Sequence, residues 1–190
     1  MNRRVVYLMT GPAHLPYLLV SLLSLRKFYN GPVTIGAWEE SYWGAEKIAS
    51  YFDGVEAIKR NPDYKGKNAQ ELDKIRWLQQ SEFENENVVY IDADTLIVDC
   101  IEALFMNAER FGFCAVQFCD WRMNKGVVRK RVERLRGTGV PEEYVSEALN
   151  PRRESFNSGI FSVYNSKETL ELWEDWTWKS RKIFISGETS

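Results

Sequence analysis

Histidine and cysteine are scarce in this chain of 190 residues. The one histidine is His14, and the three cysteines, Cys100, Cys114 and Cys119, form no C-x-x-C pair. A zinc site built from His and Cys is therefore not expected. An odd number of cysteines without paired spacing also argues against a disulfide framework. Because thiols stay reduced inside cells, this cysteine usage predicts a cytoplasmic protein.

The sequence also has little net charge and no long apolar run. The net charge is −2, so no global field draws the protein to nucleic acid or to a membrane. The apolar stretch from Leu15 to Leu25 is too short to span a bilayer. Arg3 and Arg4 precede apolar residues as in a signal peptide, but the segment 11–14 splits the run and no small-residue cleavage site follows. We expect no export and no nucleic-acid partner; membrane association is compatible with the sequence but is not required.

Hydrophobic residues make up 44% of the chain and charged residues 27%, as in a folded protein with one core. Short apolar runs predict strands over residues 5–9, 33–38, 55–58, 88–91, 111–118 and 156–164. Helical spacing and end signals predict helices over residues 15–29, 41–51, 68–81, 101–108 and 122–136, and a last helix capped by Asn165 with Glu168 three residues on. One domain over residues 1–190 follows from this length.

Strands and helices alternate through the first hundred residues. This order is typical of βαβ units, with a mostly parallel sheet between helices on both faces. Ligands of such sheets bind beyond the carboxyl ends of the strands. Thr10-Gly11 and Asp92-Ala93-Asp94 both fall at such ends, and we expect them to line one site.

Two carboxylates follow the strand 88–91 directly. In an extended chain, alternation would point Asp92 and Asp94 to the same side. Carboxylates held together at the end of a buried strand repel each other unless a cation lies between them, and oxygen ligands favour Mg²⁺ or Mn²⁺. Such an ion can bridge two phosphates of a ligand. From spacing alone, the alternative that both side chains cap a turn carries equal weight.

The segment 88–98, Val-Val-Tyr-Ile-Asp-Ala-Asp-Thr-Leu-Ile-Val, resembles the metal-binding strand of glycosyltransferase family 8. The segment 156–161, Phe-Asn-Ser-Gly-Ile-Phe, is similar to that family's second hallmark, beside the donor sugar. The resemblance implies a GT-A (Rossmann-like) fold and transfer of a hexose from a UDP-sugar to an unknown glycan, protein or lipid acceptor. It also implies Mn²⁺ or Mg²⁺ on Asp92 and Asp94, retention of anomeric configuration, and a donor sugar near Asn157, Ser158 and Gly159.

Other segments carry the same resemblance. Lys74-Ile75-Arg76 is similar to a family helix whose Lys approaches the donor diphosphate, where a cation has a clear electrostatic role. Thr10 to Arg26 matches the family's first strand, loop and helix, which implies donor contacts by Thr10 and Gly11. In that register, either His14 stacks on uracil, Tyr17 replaces it, or His14 merely begins a helix. Asp120-Trp121 resembles the family's Asp-x-Gly-Trp segment near the sugar, without its Gly.

The sequence departs from the family at its carboxyl end. The family's His-x-x-Gly-x-x-Lys segment, which supplies a third metal ligand, has no counterpart here. Glu188 lies about where the family has an Asp-Gln pair near the reaction centre. We expect a fragment or a short version of the fold, with weak metal affinity. Asp120, Asn157, Ser158 and Glu188 are the predicted catalytic residues.

The predicted helix over residues 122–136 carries seven Lys or Arg and one Glu. It either contacts an anionic acceptor or membrane surface, or is a solvated face balanced by acids elsewhere. Two functions compete with glycosyl transfer. A sugar-phosphate nucleotidyltransferase would need a glycine-rich loop with Arg after the first strand, and the segment 10–13 has no Arg. A non-catalytic nucleotide-sugar-binding module would keep the donor pocket without transfer.

Overall fold

The computed structural model describes residues 2–61, 73–74, 77–78, 81–119, 142, 155–169 and 171. The strands are β1 (Asn2–Met9), β2 (Val33–Trp38), β3 (Val55–Arg60), β4 (Glu86–Ile91), β5 (Phe113–Cys119) and β6 (Ser155–Tyr164). The helices are α1 (Leu15–Leu25), α2 (Glu39–Ala49) and α3 (Glu102–Phe111), with short 3-10 turns at Pro12–His14 and Ser81–Phe83. Residues 73–74 and 77–78 are also helical.

The six strands form one sheet in the order β3-β2-β1-β4-β6-β5. The pairs β2–β3, β1–β2 and β1–β4 are parallel, and β4–β6 and β5–β6 are antiparallel. This confirms the predicted mostly parallel, mixed sheet flanked by helices. The chain leaves β1 toward β2 on one side and returns to β4 on the other. The carboxyl ends of β1 and β4 are therefore a topological switch point, where open α/β sheets bind ligands.

Alternating residues of the central strands divide the core between the two faces of the sheet. On one face, Val5, Tyr7 and Met9 pack with apolar residues of α1, α2 and α3. On the other, Val6 and Leu8 pack with Trp77, Leu78 and Phe83. Trp77 is fully buried, so its helical segment is held firmly against the sheet. In the described part of the chain, no helix is both long and apolar enough to cross a bilayer.

β1 begins at Asn2, three residues earlier than its apolar run predicted. Its polar start is paired with β4, where Arg3 aligns with Asn87. Arg3 is bound by Glu109 at 2.9 Å and Arg4 by Glu86 at 2.7 Å. These ion pairs therefore allow charged residues to belong to β1, although the apolar pattern places the strand only from residue 5 onward.

Helix bounds also differ from the sequence pattern. α1 ends at Leu25, four residues early, and Arg26 then donates to the carbonyl oxygens of Gly31 and Asp53 at 2.7 Å each. The predicted cap of the last helix was wrong. The side chain of Asn165 donates to the carbonyl of Leu78, whereas Ser166 Oγ accepts from the backbone of Thr169. The predicted helix over residues 122–136 lies outside the described residues.

Candidate active site

A cleft opens at the carboxyl ends of β1 and β4. Its walls come from both strands, from the loop after β1 and from the buried helical segment beside Trp77. The cleft is lined by Leu8, Thr10, His14, Lys74, Tyr90, Asp92, Ala93 and Asp94. The topology therefore brings the end of the first strand and the Asp-x-Asp triplet to one site, as expected.

Asp92 and Asp94 lie in a turn, so the extended-chain argument for their common direction was wrong. β4 ends at Ile91, and the backbone amide of Thr95 donates to the carbonyl of Asp92 at 3.0 Å. Both residues nevertheless line the cleft. The carboxylate of Asp92 is directed to Lys74 and Tyr90 and is therefore more than a cap of that turn.

The positive charge that faces Asp92 is the ammonium of Lys74. Lys74 Nζ lies 3.0 Å from Asp92 Oδ1, and the lysine side chain is only 7% exposed against 34% for the aspartate. The same Oδ1 accepts a hydrogen bond of 2.8 Å from the phenol of Tyr90. Lys74 Nζ also lies 4.9 Å from the centre of the Tyr90 ring. One oxygen of the Asp92 carboxylate thus holds two donors in the lining of the cleft.

Tyr90 is a site residue that the motif analysis missed. Its ring is stacked on Phe161 of β6, with centroids 5.1 Å apart. The signal was present in the sequence, because residues 90 and 92 are separated by one position across the end of a strand. Alternation up to the end of β4 places Tyr90 on the side of Asp92, and the turn that begins at Asp92 ends the alternation before Asp94.

The position of Lys74 is fixed through its neighbour in the chain, Asp73, which contacts two residues at the ends of strands. Asp73 is fully buried and accepts a hydrogen bond of 2.9 Å from the indole of Trp38, the last residue of β2. Its other oxygen lies 3.5 Å from the guanidinium of Arg60, the last residue of β3. Burial of a charge is costly unless it is paired. The Asp73 contacts therefore tie the lysine-bearing segment to the carboxyl edge of the sheet.

The second hallmark segment lies beside the first. The backbone amide of Asp92 donates to the carbonyl of Gly159 at 2.7 Å, which continues the antiparallel pairing of Ile91 with Ile160. Gly159 is buried, and the backbone of Asn157 and Ser158 belongs to β6. The side chains of Asn157 and Ser158 lie outside the described residues. The two motifs are therefore adjacent through main-chain hydrogen bonding.

The loop after β1 contributes two residues to the lining of the cleft. Thr10 and His14 line it, and the His14 ring lies 6.3 Å from that of Tyr17, which is 56% exposed. Gly11 is extended, with φ −168°, and a methyl group built on it would meet no atom within 4 Å. Gly11 is beside the lining residues, and its open surroundings leave room for a ligand against the backbone.

Two predicted catalytic residues and the predicted metal site remain to be placed. Asp120 and Glu188 lie outside the described residues. Within the described ranges, no group of three or more His, Cys, Asp or Glu side chains is placed to hold a metal ion. Two carboxylates beside a cleft still fit Mg²⁺ or Mn²⁺, because such ions are usually bound by one or two carboxylates together with substrate phosphates and water.

No protein-family model matches the chain, and the search of curated proteins finds no match either. Solved structures do match. The galactosyltransferase LgtC, in complex with donor and acceptor sugar analogues, has a TM-score of 0.60 at 13% identity, over 90% of this chain and 65% of that one. The apo-form glycosyltransferase GlyE of Streptococcus pneumoniae TIGR4 has a TM-score of 0.58 at 14% identity, over 96% and 39%.

The bifunctional glycosyltransferase WbbM has a TM-score of 0.60 at 15% identity, over 96% of this chain and 34% of that one. The chain therefore spans between 34% and 65% of the length of these three structures. At such identities the likeness establishes the fold alone. The chain has the GT-A fold of these glycosyltransferases, whereas membership of family 8 stays a prediction.

Proposed function

We propose that the chain transfers a hexose from a nucleoside-diphosphate sugar, preferably a UDP-sugar, to an acceptor hydroxyl. The observation that carries the proposal is the cleft at the switch point, where Lys74, Asp92 and Asp94 meet beside the backbone of Gly159. A buried cation next to two carboxylates provides for both an anionic diphosphate and a divalent metal.

The reaction breaks the bond between the anomeric carbon and the diphosphate oxygen and forms a bond from that carbon to the acceptor oxygen. UDP departs with the bonding electrons, and the proton of the acceptor hydroxyl passes to the departing diphosphate or to water. Mn²⁺ or Mg²⁺ on Asp92 and Asp94, when bound, supplies Lewis-acid neutralisation of the departing diphosphate. Lys74 adds a charged donor for the same oxygens. The negative charge that develops on the departing diphosphate is therefore stabilised by groups that the fold already holds in position.

The other roles follow the family resemblance. Thr10 and Gly11 would contact the donor, His14 or Tyr17 would stack on the base, and Asn157 and Ser158 would orient the sugar hydroxyls. Asp120 and Glu188 are the carboxylates to test first for catalysis. The resemblance also supports retention of configuration, and the cysteine usage supports a reaction in the cytoplasm. LgtC, whose structure contains donor and acceptor sugar analogues, supports a nucleotide-sugar donor and a glycan acceptor.

Thermal melting tests the proposal. The protein is melted with UDP, GDP or UDP-hexoses, with and without Mn²⁺, and NMR then follows free sugar and UDP. Metal-dependent stabilisation by UDP together with slow donor hydrolysis is expected. Asp94→Ala should abolish the metal-dependent part of the UDP shift, because it removes one of two carboxylate ligands. An unchanged shift in that variant would count against the metal assignment.

Two other results would each indicate a different function. Stabilisation by a nucleotide sugar without turnover, even with a panel of glycan acceptors, would indicate a binding module. Release of pyrophosphate from a nucleoside triphosphate and a sugar phosphate would indicate a nucleotidyltransferase. The two assays use different substrates, so each alternative has its own signal.

A further inference from the structure

We propose that Lys74 and the divalent cation exchange at Asp92, so that diphosphate admits the metal and metal alone binds poorly. The proposal rests on the proposed function and adds the order in which the site accepts its ligands. It starts from one distance: Lys74 Nζ is 3.0 Å from the Asp92 oxygen that also accepts from Tyr90. In this structure, a cation of the chain itself occupies this carboxylate.

Lys74 has little freedom to leave that position for solvent. Its side chain is 7% exposed, and its ammonium lies over the face of Tyr90. The preceding residue, Asp73, is fully buried and bound to Trp38. A divalent cation that approaches Asp92 therefore meets a fixed positive charge at short range. Like charges a few ångströms apart in a poorly solvated site repel strongly, so the lysine opposes metal binding.

A diphosphate reverses this balance. Its anionic oxygens accept charge-assisted hydrogen bonds from Lys74 and draw the ammonium away from Asp92. The carboxylate then becomes available to the metal together with the phosphate oxygens. One residue thus favours the anion and disfavours the isolated cation. Because such a coupling is reciprocal, metal must strengthen diphosphate binding by the factor by which diphosphate strengthens metal binding.

Removing the charge of Lys74 should strengthen Mn²⁺ binding and weaken UDP binding. A variant that merely fails to fold would lose both. Lys74→Met removes the charge and keeps an apolar stem over Tyr90. Mn²⁺ binding without nucleotide is followed by electron paramagnetic resonance of free Mn²⁺, and UDP binding in EDTA by calorimetry. We expect the variant to bind Mn²⁺ at least about 5-fold more tightly, the low end of measured site couplings. We expect it to bind UDP roughly 10- to 100-fold more weakly, as for loss of a charged hydrogen bond.

Two variants serve as controls. Lys59→Met removes a lysine that pairs with Glu39 at the surface, outside the cleft lining, and should leave both affinities at their wild-type values. Lys74→Arg keeps the charge and should keep Mn²⁺ affinity close to wild type. If Lys74→Met unfolds below the assay temperature, Lys74→Gln replaces it, because the amide still packs on Tyr90 without a charge.

The results separate this proposal from the one it rests on. A wild-type protein that binds no UDP with or without Mn²⁺ overturns the proposed function and the exchange together. A wild-type protein that binds UDP with Mn²⁺, combined with a Lys74→Met variant that binds Mn²⁺ no better than wild type, overturns the exchange alone. Weaker binding of both ligands in the variant also overturns it, since that is the pattern of a structural defect.

Discussion

Asp92 and Asp94 share a proposed ligand but have different structural ties, and their replacement should separate function from stability. Asp92 accepts from Tyr90 at 2.8 Å and Lys74 at 3.0 Å. Asp94 is exposed and makes no hydrogen bond or ion pair with any residue in the described part of the chain. We expect Asp92→Ala to destabilise the ligand-free protein and Asp94→Ala to leave its stability unchanged.

The expected loss of stability in Asp92→Ala follows from the burial of Lys74. Asp92→Ala leaves that ammonium, 7% exposed, without its carboxylate. A hydrogen bond to a charged group contributes about 1.5–3 kcal/mol. Because Asp92 is 34% exposed, water already screens the pair, which points to the lower half of that range, about 2 kcal/mol. For a domain of this size that loss lowers the melting temperature by roughly 4–8 °C.

Urea unfolding followed by the fluorescence of the seven tryptophans measures the effect. Asp94→Ala should stay within about 0.5 kcal/mol of wild type, as for a surface change. The double variant Asp92→Ala/Lys74→Met should lose less than the sum of the two single losses, because it leaves no unpaired charge. Equal unfolding midpoints for Asp92→Ala and Asp94→Ala would refute the assigned role of the Lys74 pair.

Two further predictions concern the loop after β1 and the pH dependence of stability. Gly11→Ala should leave the urea midpoint unchanged, since the added methyl meets no atom within 4 Å. It should weaken UDP binding about tenfold, because a methyl group forced into a packed contact costs about 1–3 kcal/mol; an unchanged UDP affinity would contradict the donor contact. Burial raises the pKa of Tyr29 from 10.0 to about 12, so the folded state favours the neutral phenol. That stability is present below pH 10 and is lost as the pH rises from 10 towards about 12. The difference in unfolding free energy between wild type and Tyr29→Phe should therefore shrink over this range in buffered urea titrations, and a constant difference would be the contrary result.

Much of the fold was predictable because short apolar runs report buried strands. β2 was predicted with its observed bounds, Val33–Trp38, and the parallel pairing of β1, β2 and β3 followed from the alternation of strands and helices. The predicted boundary of β1 was wrong because charged residues belong to the start of the strand. The start of β1 depends on the ion pairs of Arg3 and Arg4 with residues far along the chain, and no local pattern contains that information.

The candidate site was predictable to the extent that motifs mark strand ends. The triplet 92–94 and the segment 156–159 indicated one site, and the bond between Asp92 and Gly159 makes them neighbours. The contacts that hold Lys74 were beyond sequence reasoning. Asp73 is bound to Trp38, 35 positions away, and such a polar contact leaves no periodic signal.

The hydrogen bond from Asp92 to Gly159 has a consequence for how this cleft tolerates change. It extends the ladder between β4 and β6, so the backbones of the two motifs are held about 4.8 Å apart by the ordinary spacing of neighbouring strands. Side chains on either strand can be exchanged without altering that distance. Insertion or deletion of a single position in either strand would instead turn every following residue to the opposite face. The relative position of the two motifs therefore depends on the number of residues in each strand rather than on their side chains.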